Sequence, residues 1–234
     1  MQLSLGSDPR TANLREVQAR LVQTFGHIDL SQRRRDPVWT LVQGVIGART
    51  KSETSNAATD RLLAKYGSWE AVADAPLEEL QRDLATQTYP NMAAERLKNC
   101  LSALVERCGA ADLSHIAELD TEAAMRWLEH LPGVARKISA GVMNASSFER
   151  RALVIDGHHR RIVQRMGVVP AKADTTRTEQ ALTPFMPEEW SAATWDEHHL
   201  LMKKLGQNFC RPSAPDCIPC PVRDLCETGR RRAD

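Results

Sequence analysis

Apolar residues recur along this chain every three to four positions, the period of one face of an α-helix. In TANLREVQARLVQTFG, Leu14, Val17, Leu21 and Phe25 share a face and Gly26 supplies a stop. DPVW opens the next helix: Asp36 reads as its N-cap, Pro37 as its first residue, and Leu41, Val42, Val45 and Ile46 as its apolar stripe. NAATDRLLAKYG, SWEAVADA, PLEELQRDLAT, NMAAERLKNCLSALVERCG and DTEAAMRWLEH continue the pattern, with Gly67 and Gly109 as helix ends. TWDEHHLLMKKLGQNF predicts a last long helix. The one extended piece, ALVID at 152–156, leads straight into a helical run, HHRRIVQRMG. Short helices with short links and no repeat at a fixed period predict an all-α fold.

Composition narrows the class. With 234 residues and 42% hydrophobic content the chain can bury a full core, as one large or two small domains. No apolar run reaches the ~18 residues a membrane helix needs. The start MQLSLGSDPR lacks the apolar core of a secretory signal and the arginine-rich character of a presequence, which predicts a cytoplasmic protein with no membrane partner. A formal charge of +1 creates no strong global field, so a polyanion would be met by local clusters. The candidates are Arg33 to Arg35, HHRRIVQR at 158–165, and GRRRAD at the C-terminus.

Two stretches do not read as ordinary helix or loop. In HLPGVARKISAGVMN at 130–144, one helix ends near His130 and another begins within a few residues of Pro132 and Gly133, so the link is a tight hairpin. A plain helix–helix corner accounts for Pro-Gly alone. Such a turn would also leave the amides around Gly133, Val134 and Ala135 pointing at a phosphate oxygen, at the positive end of a helix dipole. Lys137 falls in the first helical turn, where the macrodipole disfavours a positive charge, and an amine held neutral is the better nucleophile. In VIDGHHRR, Asp156 reads as an N-cap whose carboxylate, at a cleft, could also stabilise a developing cation or position water. The adjacent pairs His158/His159 and His198/His199 lack the i, i+4 spacing of a zinc helix and read as surface or capping residues.

Four of the six cysteines lie between 210 and 226 in CRPSAPDCIPCPVRDLC, spaced C-x6-C-x2-C-x5-C. Four thiolates in a proline-broken segment could wrap tetrahedral zinc or a cubane iron–sulfur cluster. Only Cys217 and Cys220 make a C-x2-C unit, and the unequal flanking distances favour the cluster. Cys100 reads as core; Cys108 receives no role.

Together these features resemble the helix-hairpin-helix DNA glycosylases, in particular their endonuclease III branch, from about residue 14 to 227. LPGVARK at 131–137 is similar to that family's hairpin with its nucleophilic lysine. VIDGHHRRIVQRMG at 154–167 is similar to the segment carrying its aspartate, and the cysteine run to its iron–sulfur loop. The resemblance implies that Lys137 attacks the sugar C1′ of a damaged nucleotide with help from Asp156. It implies that Cys210, Cys217, Cys220 and Cys226 hold a [4Fe-4S] cluster. DNA contacts are implied for Arg49, Thr88, Leu131, Gly133, Ala135, Arg136 and His158.

The implied architecture is a helical module at 32–149 and a cluster module of 1–31 plus 150–234, with DNA across a cleft and Lys137 and Asp156 facing each other from opposite modules. The implied activity is that of a bifunctional DNA glycosylase and abasic-site lyase of base excision repair, a monomer acting on double-stranded DNA with a damaged base, an oxidised pyrimidine, or an abasic site. A mismatch-directed uracil or thymine glycosylase, and a non-catalytic DNA-binding module, are the alternatives. Four departures from the family pattern bear on lesion preference: Ala135 replaces a second hairpin glycine, Gly157 a threonine after the aspartate, Arg49 a wedge glutamine, and Thr88 a larger apolar residue.

Overall fold

The computed structural model describes residues 8–31 and 33–232, so the last two residues of GRRRAD and the first seven of the chain lie outside the described residues. The chain divides into two compact units, one of Gln32–Ala152 and the other of Met1–Ser31 with Leu153–Asp234. Among the described residues every regular element is a helix, and their one β-type pairing is an isolated bridge between Arg35 and Ser146. Among them no helix is long and apolar enough to cross a membrane.

The first unit contains α2 (Pro37–Ile46), α3 (Ser52–Tyr66), α4 (Trp69–Asp74), α5 (Leu77–Asp83), α6 (Pro90–Cys108), α7 (Thr121–Glu129) and α8 (Arg136–Ala145). Local chemistry sets these boundaries. Asp36 caps α2 by accepting from the Val38 and Trp39 amides at 2.8 and 3.0 Å, ahead of Pro37 at the first position. Ser68 and Asp120 cap α4 and α7 in the same way. Gly67 and Gly109 end α3 and α6 in the left-handed region. The apolar stripes meet in a core that includes Leu41, Leu97, Leu101, Leu104 and Leu128, with Cys100 inside it. α2 and α8 pack so closely that a Cβ on Gly44 would lie 3.0 Å from Ile138 Cγ2.

The segments that enter and leave this unit are tied together. Ser147 N–H donates to the Arg35 carbonyl and Arg34 N–H to that of Ala145, both at 2.9 Å, and Arg34 Nε lies 3.1 Å from Glu149 Oε1. Arg35 is spent on Asp60 at 2.6 Å. Two of the three arginines expected as a phosphate cluster at 33–35 therefore serve the fold.

The second unit packs α1 (Pro9–Phe25), α9 (Gly157–Met166) and α11 (Ala192–Asn208), with α10 (Thr175–Leu182) and α12 (Glu227–Arg231) beside them. Leu14, Val17 and Leu21 join Ile162, Val163, Met166, Leu201 and Leu205 in its core. The stretch before α9 is buried and extended but pairs with no strand. α10 was not legible as an apolar stripe because its sequence, TTRTEQAL, buries Thr178 and Glu179 along with Leu182.

The histidine pairs depart from expectation. His159 and His198 are fully buried and His199 nearly so, where surface or capping positions were predicted. Adjacent residues do point to different sides of a helix, but α9 and α11 are covered on more than one side. The ring centroids of His159 and His198 lie 5.4 Å apart, and His198 Nδ1 meets Gln18 Oε1 at 2.9 Å. Burial drives the His159 pKa down to about 4 and that of His198 well below its ordinary value, so both rings are neutral near pH 7.

Candidate active site

The hairpin between α7 and α8 is built by its sequence. Leu131 is 2% exposed and anchors the turn in the core, so any DNA contact it makes is through its backbone. Gly133 takes φ +80°, a conformation costly for other residues. Val134 N–H donates to the Leu131 carbonyl at 3.1 Å, which removes it from the amides expected to face a phosphate. Among the described residues the Gly133 and Ala135 amides make no backbone hydrogen bond, and both residues are exposed. Ala135 is the N-cap of α8 without a side chain that could occupy those donors.

Arg136 and Lys137 diverge. Arg136 is 8% exposed and turned inward, its Nη2 2.5 Å from Glu122 Oε2 and its Nη1 3.5 Å from Glu129 Oε1. The hydrogen bond from Arg136 holds the Glu122 carboxyl below its usual range despite partial burial. The expected DNA contact from the Arg136 side chain is corrected accordingly: the guanidinium is a buried brace between α7 and α8. Lys137, the second residue of α8, is exposed.

The two loops singled out for departures are joined within the same unit. Arg49 has φ +57° and donates from Nη1 to Tyr89 Oη at 3.3 Å. Thr88 Oγ1 donates to the Arg49 carbonyl at 3.0 Å, and Thr88 N–H to Thr50 Oγ1 at 3.0 Å. Sequence reading passed over Tyr89 and Met92, whose side chains are 45% and 47% exposed. The available signal was an aromatic directly before Pro90 in a polar loop.

Asp156 belongs to the second unit. It caps α9, its Oδ1 accepting from the His158 and His159 amides at 2.8 Å each. Burial pushes this carboxyl up, but charge on nearby His199 and the His159 amide bond outweigh it, so it stays below the ordinary aspartate value and ionised near pH 7. His158 is half-buried against α11, where a Cβ on Gly206 would lie 2.7 Å from its own Cβ. Its Nδ1 is 3.2 Å from Arg161 Nη2, and Arg161 Nε reaches the Cys210 carbonyl at 2.9 Å.

Cys210, Cys217, Cys220 and Cys226 line one hollow in this unit, backed by Ile162, Met166, Leu205, Phe209 and Val222. All four are free of disulfides. Burial raises the Cys220 thiol to about 11 and lifts that of Cys226, and the neighbouring thiols add to both shifts. The Cys220 and Cys226 thiols, lifted in this way, need a cationic centre nearby before they ionise. Among the described residues no three His, Cys, Asp or Glu side chains converge as ligands of one metal ion. A cubane cluster does not ask for convergence on one atom, since each of its four thiolates takes a different iron. The donor set and its apolar lining fit that group.

One unit thus presents a helical hairpin with an exposed lysine, and the other a capped, ionised aspartate and a four-cysteine loop. The family model described as HhH-GPD superfamily base excision DNA repair protein matches residues 42–188, and the chain belongs to that superfamily as an endonuclease III-like glycosylase. Endonuclease III of Thermotoga maritima is 28% identical over 219 residues, covering 94% of each chain. That of Bacillus subtilis is 26% identical over 224 residues, covering 94% of this chain and 95% of its own. Among solved structures, a trapped endonuclease III–DNA covalent intermediate aligns with TM-score 0.75 at 24% identity, covering 96% of this chain and 99% of that one. A thermostable thymine-DNA glycosylase aligns with TM-score 0.74 at 19% identity, covering 95% and 97%. The all-α fold is thus that of endonuclease III.

Proposed function

We propose that this chain is a bifunctional DNA glycosylase and abasic-site lyase that removes oxidised pyrimidines through an imine on Lys137. The observation that carries the reading is an exposed lysine at the second position of α8, directly after a glycine turn with open amides, in a chain that matches relatives named endonuclease III over nearly its full length.

A base inside a duplex is out of reach, so the nucleotide must be everted, at a cost of about a few kcal/mol that is least for damaged bases. The Gly133 and Ala135 amides hold a phosphate oxygen, and the Arg49–Tyr89 ridge with Met92 offers aromatic, guanidinium and thioether surface to the bases left behind. Neutral Lys137 Nζ forms a bond to C1′ as the C1′–base bond breaks, and the leaving base takes up a proton. The nitrogen gives up one proton, the C1′–O4′ bond breaks with its pair leaving on O4′, which takes up a proton, and nitrogen and C1′ are left joined as a protonated imine. Loss of a C2′ proton then expels the 3′ phosphate oxygen with its bonding pair, cutting the strand without a hydrolytic water. Asp156, held ionised by charge on nearby His199 and by the His159 amide bond, supplies the negative charge that steadies the developing sugar cation.

Cys210, Cys217, Cys220 and Cys226 hold a [4Fe-4S] cluster, which when bound supplies four fixed metal–sulfur anchors for the C-terminal loop. A brown preparation with iron and sulfide near four each per chain supports this assignment, and a colourless zinc protein refutes it. Borohydride trapping tests the activity. Wild type should form a covalent adduct with abasic-site duplex DNA, and Lys137→Ala should bind that duplex without forming one. Thymine glycol and dihydrouracil duplexes should be cut faster than uracil opposite guanine. Base release without strand cleavage would instead assign a mismatch-type hydrolytic glycosylase.

A further inference from the structure

Arg165, in the last turn of α9, touches both ends of the cysteine run. Its Nη1 donates to Cys210 Sγ at 3.2 Å and to the Arg211 carbonyl at 2.7 Å, and its Nη2 to the Pro212 carbonyl at 2.6 Å. Its own carbonyl accepts from Cys226 Sγ at 3.3 Å and from Thr228 Oγ1 at 3.0 Å. One residue thus holds the first cysteine with its side chain and the segment after the last through Thr228, while the S–H···O bond from Cys226 exists only as long as that cysteine is a thiol.

The geometry asks for arginine in particular. Two carbonyls and a sulfur are met by one planar fork, which fixes the direction in which the chain leaves Cys210; an ammonium has the charge but not the fixed donor angles. Arg165 lies in the run HHRRIVQR, expected from charge alone to face a polyanion, yet its guanidinium is committed to the loop. Its carbonyl contacts alone would make it an anchor. The bond to sulfur goes further, because an N–H donor on a ligating thiolate withdraws charge and so favours the more reduced form of the centre it binds.

We infer that Arg165 is a positioning residue of the cysteine centre: it presets the loop to receive the iron–sulfur cluster and, through Nη1–H···Sγ on Cys210, keeps the bound cluster's reduction potential raised. This rests on the reading of the four cysteines as cluster ligands.

The test uses the full chain as wild type, Arg165→Lys and Arg165→Met, each reconstituted anaerobically with iron and sulfide. Iron and acid-labile sulfide per chain report loading, voltammetry reports the midpoint potential, and circular dichroism reports the fold. Arg165→Met should load several-fold less cluster than wild type, and the loaded fraction should show a potential shifted to more negative values, with Arg165→Lys between the two. Wild-type loading at an unchanged potential in Arg165→Met overturns the inference. So does reduced loading at the wild-type potential, since a plain structural anchor would give that. Should Arg165→Met fail to fold, Arg165→Lys decides by the same criteria. If wild type itself takes up zinc and no iron, the cluster reading fails with the inference, and the wild-type arm identifies that outcome.

Discussion

Asp156 carries two duties that substitution can separate. Its Oδ1 caps α9 through the His158 and His159 amides, and asparagine keeps an oxygen there while losing the charge. Asp156→Asn should therefore melt near the wild-type temperature yet lose most strand cleavage, whereas Asp156→Ala should also lose about 1 kcal/mol of stability. Thermal melts paired with single-turnover cleavage check this, and equal activity in Asp156→Asn and wild type would reduce the residue to a cap. Arg136 predicts the reverse pattern. Glu122 is half exposed and can be rehydrated once its partner is gone, so Arg136→Met should cost about 1–2 kcal/mol. Its DNA affinity should keep the wild-type dependence on salt, because the guanidinium is not a phosphate contact; a slope reduced by about one would place it on the backbone after all. In the sequence Arg136 and Lys137 both read as facing the DNA, one as a contact and the other as the nucleophile. What separated them is a pair of carboxylates on α7, seven and fourteen residues upstream, which no local pattern reveals.

Among the elements, the helices with one apolar face and a recognisable cap were legible: Asp36-Pro37, Ser68 and Asp120 all cap where the sequence placed helix starts. α10 escaped because its buried side is half polar, and the histidines were misplaced because α9 and α11 are covered by neighbours that periodicity cannot name. The close approach of α9 to α11 is likewise tertiary. A Cβ at Gly206 would fall 2.5 Å from His158 Nδ1 and 2.7 Å from its Cβ, so the clash is not with a movable tip alone. Gly206→Ala should destabilise the protein by about 1–3 kcal/mol by overpacking, read in a denaturant melt as a lower midpoint at unchanged slope. A neutral result would mean that the ring moves aside freely. The hairpin was legible in outline from Pro132 and Gly133, but not the loss of the Val134 amide to Leu131, which depends on the exact turn.

At the scale of the whole molecule, two buried histidines make stability depend on pH. His159 titrates at about 4 in the folded protein against 6.5 in an open chain. Between those values the unfolded chain binds more protons, so stability rises with pH across the window and is lost as pH falls from about 6.5 towards 4. His159 alone accounts for about 3 kcal/mol of that loss, and His198 shifts in the same direction. Denaturant midpoints measured from pH 7 to pH 4 should fall steeply, and His159→Leu should flatten the profile; an unchanged slope in that variant would show that other groups carry it. The superfamily was legible in the chain's three motifs taken together, whereas the distribution of basic side chains was not: Arg34, Arg35, Arg161 and Arg165 all turn to internal partners.

The account depends above all on which nitrogen bonds to the sugar. Mass mapping of peptides from the borohydride-reduced adduct with abasic-site duplex DNA answers that directly. The prediction is a single modified peptide with the added sugar on Lys137, absent from Lys137→Ala. An adduct on another amine, or strand cleavage that persists undiminished in Lys137→Ala, would contradict it.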